Sequence, residues 1–154
     1  MESWREVWRK GIAPLLEEEQ LRSLLKGLVE DDPRLLQGAT TSPPPLSCVS
    51  DWPCEGACGL AYAGATSLGG LLPIEPERRG PLRDWTYSTV EEVETFFSRF
   101  CFEIDQRIGE PAACRFFLTF WDDTPRDEMR REMIAEIQRE LTRREVLLAL
   151  APNP

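Results

Sequence analysis

Cysteine is the residue type best placed to do chemistry in this chain, because its 154 residues include no histidine. Histidine is the commonest general acid and base and the commonest metal ligand. Its absence excludes serine-histidine triads and histidine-ligated zinc or iron within the chain. There are five cysteines. Cys48, Cys54 and Cys58 are separated by five and three intervening residues in an irregular stretch, and Cys101 and Cys114 follow on apolar segments. Four thiolates could hold zinc or an iron–sulfur cluster if Cys48, Cys54 and Cys58 met Cys101 or Cys114. The spacing speaks against it, since no Cys-x2-Cys pair occurs. A free cysteine in an apolar stretch behaves as a small hydrophobe. Structural thiols are the preferred reading and no cofactor is predicted; a cysteine-based metal-binding or redox protein is the alternative.

Carboxylates are the other candidate group. Asp122 and Asp123 lie at a tight junction beside Trp121, with Asp127 and Glu128 just beyond. A carboxylate pair could run hydrolysis or bind a divalent cation. Acids flanking a helix start also favour the helix dipole while staying solvated, which explains them without a site. The glycine-rich run 63–70 lacks the lysine of a phosphate loop and runs into Pro73 rather than a helix. It reads as turn and linker. An enzyme is therefore not expected.

The formal charge of −9 and isoelectric point near 4.7 argue against nucleic-acid binding, which needs clustered Lys and Arg. An acidic inhibitor imitating nucleic acid is a further alternative, although acids and bases alternate along 126–145 where a mimic would present one sign. The uncharged run 56–74 is long enough to span a bilayer, but it carries five glycines and a proline. No membrane association is expected from it. The charged, amphipathic amino terminus does not resemble a signal peptide, and a reducing, cytoplasmic setting with free thiols is expected.

The elements that would position these residues are mainly α-helical. The expected architecture is a small bundle of about five helices with a long Pro/Gly-rich irregular insertion, in which short strands are allowed. One domain is expected: N-terminal helices over 1–36, the irregular segment over 37–87, a helical core over 88–147 and a tail over 148–154. In the core, Val90, Val93, Phe97, Phe100, Ile104 and Ile108 recur at helical spacing, between a capping box at Ser88–Glu91 and a stop at Gly109. The run ending at Phe120 and Trp121 suits a strand by composition but falls on helical spacing, and a short buried helix is preferred. Thr124 and Pro125 then open a helix with Met129, Met133, Ile137 and Leu141 on its apolar stripe. At the amino terminus, Trp4, Val7 and Trp8 mark a short helix interrupted by Gly11 and Pro14. A second helix spans about 17–30 and ends at Asp32-Pro33.

Seven of the thirteen prolines and seven of the ten glycines fall between Gln37 and Trp85, which excludes a long helix there. So long a loop tends to be functional, disordered or hiding short strands. The stiff triple proline at 43–45 reads as a spacer or strap. The leading expectation is a non-catalytic helical domain that binds a protein partner or associates with itself. Trp52, Trp85, Leu71 and Leu72 are its expected contact residues, since aromatic anchors dominate interfaces.

Overall fold

A computed structural model of the chain describes residues 3–45 and 50–152. Helix accounts for 64% and strand for 5%, so the mainly helical expectation holds. Six helices occur among the described residues: α1 (Trp4–Val7), α2 (Glu18–Val29), α3 (Gly59–Ala65), α4 (Val90–Ile108), α5 (Cys114–Asp123) and α6 (Arg126–Leu150). Two short strands, β1 (Thr41–Ser42) and β2 (Gly56–Ala57), pair antiparallel with Thr41 opposite Ala57. The apolar faces meet in one connected cluster that includes Trp8, Ile12, Leu21, Leu24, Leu60, Ile104, Phe117, Trp121 and Met133.

The amino-terminal helix is not broken at Gly11 as its sequence implied. It widens into a π-helical turn over Trp8–Ile12 and then tightens into a 3-10 turn over Ala13–Leu15. Gly11 lies against α4, where an added Cβ would stand 3.0 Å from Ile108. The glycine thus serves a close crossing.

Helix α2 carries a capping box in which the Glu17 amide donates to Gln20 Oε1 at 2.9 Å. Its carboxyl end is closed by the last helix. Arg130 donates to the Leu28 and Val29 carbonyls at 2.8 and 3.2 Å, and Arg126 donates to those of Asp32 and Leu35 at 3.0 Å each. Helix-terminal carbonyls have no partner within their own helix, so cations reaching them satisfy the orphans and offset the negative end of the dipole.

Helix α4 starts one residue later than the sequence implied. Thr89 and Glu92 form the capping box, while Ser88 is fully buried and its hydroxyl donates to the Gly70 carbonyl at 2.8 Å. Both registers satisfy the box pattern, and the demand of the Gly70 carbonyl decides between them. Ala113 precedes α5, which is the short buried helix expected, with Phe117 and Trp121 inward. Thr124 makes no side-chain cap bond to α6; Pro125 takes that position, and α6 continues through Leu150, so the expected tail at 148 begins as helix. Its stripe of Met129, Met133, Ile137 and Leu141 is buried as expected, together with two acids, Glu136 and Glu140.

The irregular middle contains more order than its composition implied. The stretch 59–65, read partly as linker, forms the buried helix α3. Small residues on both sides allow it to pack closely: a Cβ on Gly27 of α2 would stand 2.7 Å from the Tyr62 hydroxyl, and one on Gly64 of α3 would overlap the Phe96 ring of α4. No helix among the described residues is long and apolar enough to cross a membrane.

Candidate functional site

Two of the expected contact residues, Trp52 and Trp85, come together in space. The Val90 amide donates to the Trp52 carbonyl and the Glu91 amide to the Ser50 carbonyl, each at 2.9 Å. These bonds satisfy orphan donors in the first turn of α4 and fix the Trp52 backbone there. The residue remains 44% exposed. Thirty-three residues later in sequence, Trp85 meets it edge to face, with centroids 6.3 Å apart and planes at 80°. Tyr87 continues the row, 6.1 Å from Trp85. Such pairs contribute about 0.5–1.5 kcal/mol beyond burial, enough to orient rings that remain partly in solvent.

Trp85 and Tyr87 belong to a lobe spanning residues 73–87. Two 3-10 turns, Pro76–Arg78 and Leu82–Asp84, are joined through Gly80, whose φ of 68° suits glycine. Arg79 donates to the Pro73 and Ile74 carbonyls at 2.8 and 3.3 Å. The Tyr87 hydroxyl donates to the Arg78 and Arg79 carbonyls, and Trp85 Nε1 to the Gly80 carbonyl at 3.3 Å. The lobe therefore has internal bonding of its own. Ile74 and Leu82 of the same lobe are also exposed. Three acids, Glu75, Glu77 and Asp84, are offset by Arg78, Arg79 and Arg83, so a chain of charge −9 carries no net charge here.

Both ends of the lobe are anchored to the body. The Leu72 amide donates to the Cys54 carbonyl at 2.9 Å, and the Cys54 amide to the Ser88 carbonyl at 2.8 Å. Gly69 allows the two ends to approach, since a Cβ there would stand 2.6 Å from the Thr86 carbonyl oxygen. Leu71 and Leu72, expected at a contact surface, are instead 9% and 3% exposed. Their apolar side chains pin the root of the lobe and leave little area to offer a partner.

Beside the root lies a polar cleft of about 450 Å3 with Asp32, Arg34 and Tyr62 in its wall. Asp32 receives the Tyr62 hydroxyl at 2.7 Å and two Arg34 nitrogens, Nη2 at 2.8 Å and Nε at 3.1 Å. Burial would raise the Asp32 carboxyl, but the bonds from Arg34 and Tyr62 outweigh it and hold the group below its ordinary value. Burial and the bond to Asp32 push the Tyr62 phenol upward. A carboxylate so fully occupied by donors is a poor general base. Arg34 also donates to the Leu72 carbonyl at 3.3 Å, so the cluster ties the lobe root to the end of α2.

The remaining candidates are dispersed. Cys48 lies outside the described residues. Cys54 is fully buried, its thiol donating to the Gly56 carbonyl at 3.1 Å, and burial pushes it up to about 11. Burial pushes Cys58 up to about 12. Cys101 and Cys114 pair with each other, sulfur to sulfur at 3.3 Å. Among the described residues no group of three or more Cys, Asp or Glu side chains is arranged to hold a metal ion. Asp122 accepts from the Gly38 amide at 2.8 Å, and Asp123 is exposed. These two acids form a turn contact and a solvated surface rather than a converging pair.

Sequence reasoning missed Tyr87, Asp32, Arg34 and Tyr62. The alternation of Trp85 and Tyr87 was a usable signal for two rings on one side of an extended segment. Asp32 and Tyr62 lie thirty residues apart on different elements, and no local pattern connects them. Comparison of the chain with family models, curated proteins and solved structures returned no match.

Proposed function

We propose that this protein is a non-catalytic binding domain that holds a protein partner on the face formed by Trp52, Trp85 and Tyr87. One observation carries the reading. Trp85 of the internally bonded lobe is brought edge to face with Trp52, distant in sequence and held at the start of α4, and Trp52 is left substantially exposed. Keeping such rings exposed forgoes burial, and aromatic anchors of this kind concentrate binding energy at interfaces. The charge-balanced lobe supports the same reading, because it lowers the repulsion that a strongly acidic body offers an approaching protein. Charge pairing along α6 weighs against a nucleic-acid mimic: Glu136 is bound by Arg5 and Arg9, and Glu140 by Arg143 and Arg144.

The test is affinity capture from the source cells with the wild-type chain and with Trp52→Ala and Trp85→Ala, checked for matching thermal stability. The expected result is a partner retained by the wild type and lost by at least about tenfold in each variant. Sedimentation of the purified chain distinguishes a second copy from a different protein as that partner. Equal retention by folded variants would overturn the assignment.

A further inference from the structure

The Cys101–Cys114 pair lies at the edge of the core, with Cys114 buried in it and Cys101 packed against it, and takes no part in the aromatic face. Helices α4 and α5 are joined by the turn at 109–113, and Asp105 on α4 sets their register. Its carboxylate accepts from the Ala112 amide at 3.1 Å and from the Cys114 amide at 2.8 Å. Cys101 lies one turn before Asp105 on the same helix, so this clamp sets the two thiols opposite each other. The sulfurs are 3.3 Å apart, with the Cys114 thiol donating to Cys101. Cys101 is partly exposed, whereas Cys54, Cys58 and Cys114 are buried. The pair therefore combines one accessible sulfur with a second, sheltered sulfur in contact with it.

We propose that, apart from the non-catalytic binding face, Cys101 and Cys114 form a redox-sensitive thiol site that is oxidised by a hydroperoxide and closes into a disulfide bridging α4 and α5. Cys101 acts first. The bond from Cys114 favours its thiolate against burial and the nearby Asp105 charge, and holds Cys101 below the ordinary thiol value. Donation to Cys101, reinforced by burial, keeps the proton on Cys114. The Cys101 thiolate attacks the distal peroxide oxygen. The O–O bond breaks, Cys101 becomes a sulfenic acid, and the departing alkoxide or hydroxide takes a proton from water. Cys114 sulfur then attacks the sulfenic sulfur, and its proton leaves with the hydroxyl as water. Two thiols have lost two electrons, and the hydroperoxide has become an alcohol (or water) and one further water. A dithiol reductant restores both thiols by exchange. The site is separate from the aromatic face, because Cys101 lies eleven residues into α4 from Val90, roughly 16 Å along the axis.

The full chain is treated with hydrogen peroxide under native conditions, alkylated, digested with trypsin and examined by mass spectrometry. Cleavage after Arg99, Arg107 and Arg115 isolates Cys101 in peptide 100–107 and Cys114 in peptide 108–115. The expected product joins these two peptides at their summed mass less two hydrogens, and disappears on treatment with dithiothreitol. In Cys114→Ser the joined product is lost and Cys101 is trapped by dimedone as sulfenic acid. In Cys101→Ser, Cys114 yields neither product. The proposal is overturned if the folded wild type yields no joined product, if Cys114 labels as readily as Cys101, or if other cysteine pairs join equally often. Circular dichroism on each variant establishes that the chain tested is folded.

Discussion

The tryptophans divide the molecule into two regions that use one residue type in opposite ways. In the helical body, Trp8 and Trp121 are fully buried. Trp8 packs on Phe117 at 5.7 Å, and Trp121 Nε1 donates to the Leu36 carbonyl at 2.7 Å. Each ring is enclosed, and the indole donor of Trp121 is satisfied. At the lobe, Trp85 meets both Trp52 and Tyr87; Trp52 remains exposed, and Trp85 and Tyr87 are half-buried. The body thus uses aromatic area for stability, and the lobe holds comparable area in reserve. On that difference rests the contact role proposed for Trp52 and Trp85.

The contrast is sharpest in mutational stability. Trp8→Ala should destabilise the fold by about 3–5 kcal/mol in urea denaturation, through a cavity in the core. Trp52→Ala should lose less than about 1.5 kcal/mol, the value of an edge-to-face pair with little burial behind it. Comparable losses would erase the distinction. Gly64→Ala, which drives a methyl into the Phe96 ring, should destabilise by about 1–3 kcal/mol through overpacking and leave the lobe able to bind. A smaller effect, about 1 kcal/mol, is expected for Arg130→Ala, which releases the Leu28 and Val29 carbonyls at the end of α2.

The body should also carry the response to acid. Asp32, Glu136 and Glu140 are all held below their ordinary values. For Glu136, burial opposes the shift and the bonds from Arg9 and Arg5 overcome it; for Glu140, the Arg143 bond leads, against burial and with Arg144. Folded values below unfolded ones mean that the unfolded chain takes up protons first as pH falls. The stabilisation is complete above the unfolded carboxyl values near about 4 and is lost as pH falls through the folded values. The thermal midpoint should therefore hold between neutrality and about pH 5 and decline below about pH 4. Glu136→Gln should shallow that decline. A midpoint indifferent to acid would show that these pairs contribute little.

The body was legible in the sequence because its signals are local. The α4 stripe from Val90 to Ile108, the Gly109 stop and the buried face of α6 follow from periods of three and four residues. Where a local pattern allowed two registers, tertiary demand chose, as at Ser88 and Thr89. The lobe was legible only as a place where proline and glycine forbid helix and where tryptophans stand out. That Trp52 would meet Trp85, and that Leu71 and Leu72 would turn inward, depends on bonds through Cys54, Ser88 and Gly70, which join separate parts of the chain. The pairs of half-exposed Arg5 and Arg9 with buried Glu136 span the length of the chain and have no signature beyond charge.

Hydroxyl-radical footprinting of the chain, alone and in complex with its captured partner, tests the central claim most directly. Protection of Trp52, Trp85 and Tyr87, with no change at exposed Phe102 on α4 or at Leu148 on α6, is the predicted result. Protection confined to Phe102 or the end of α6, with the lobe as reactive as in the free chain, would contradict it.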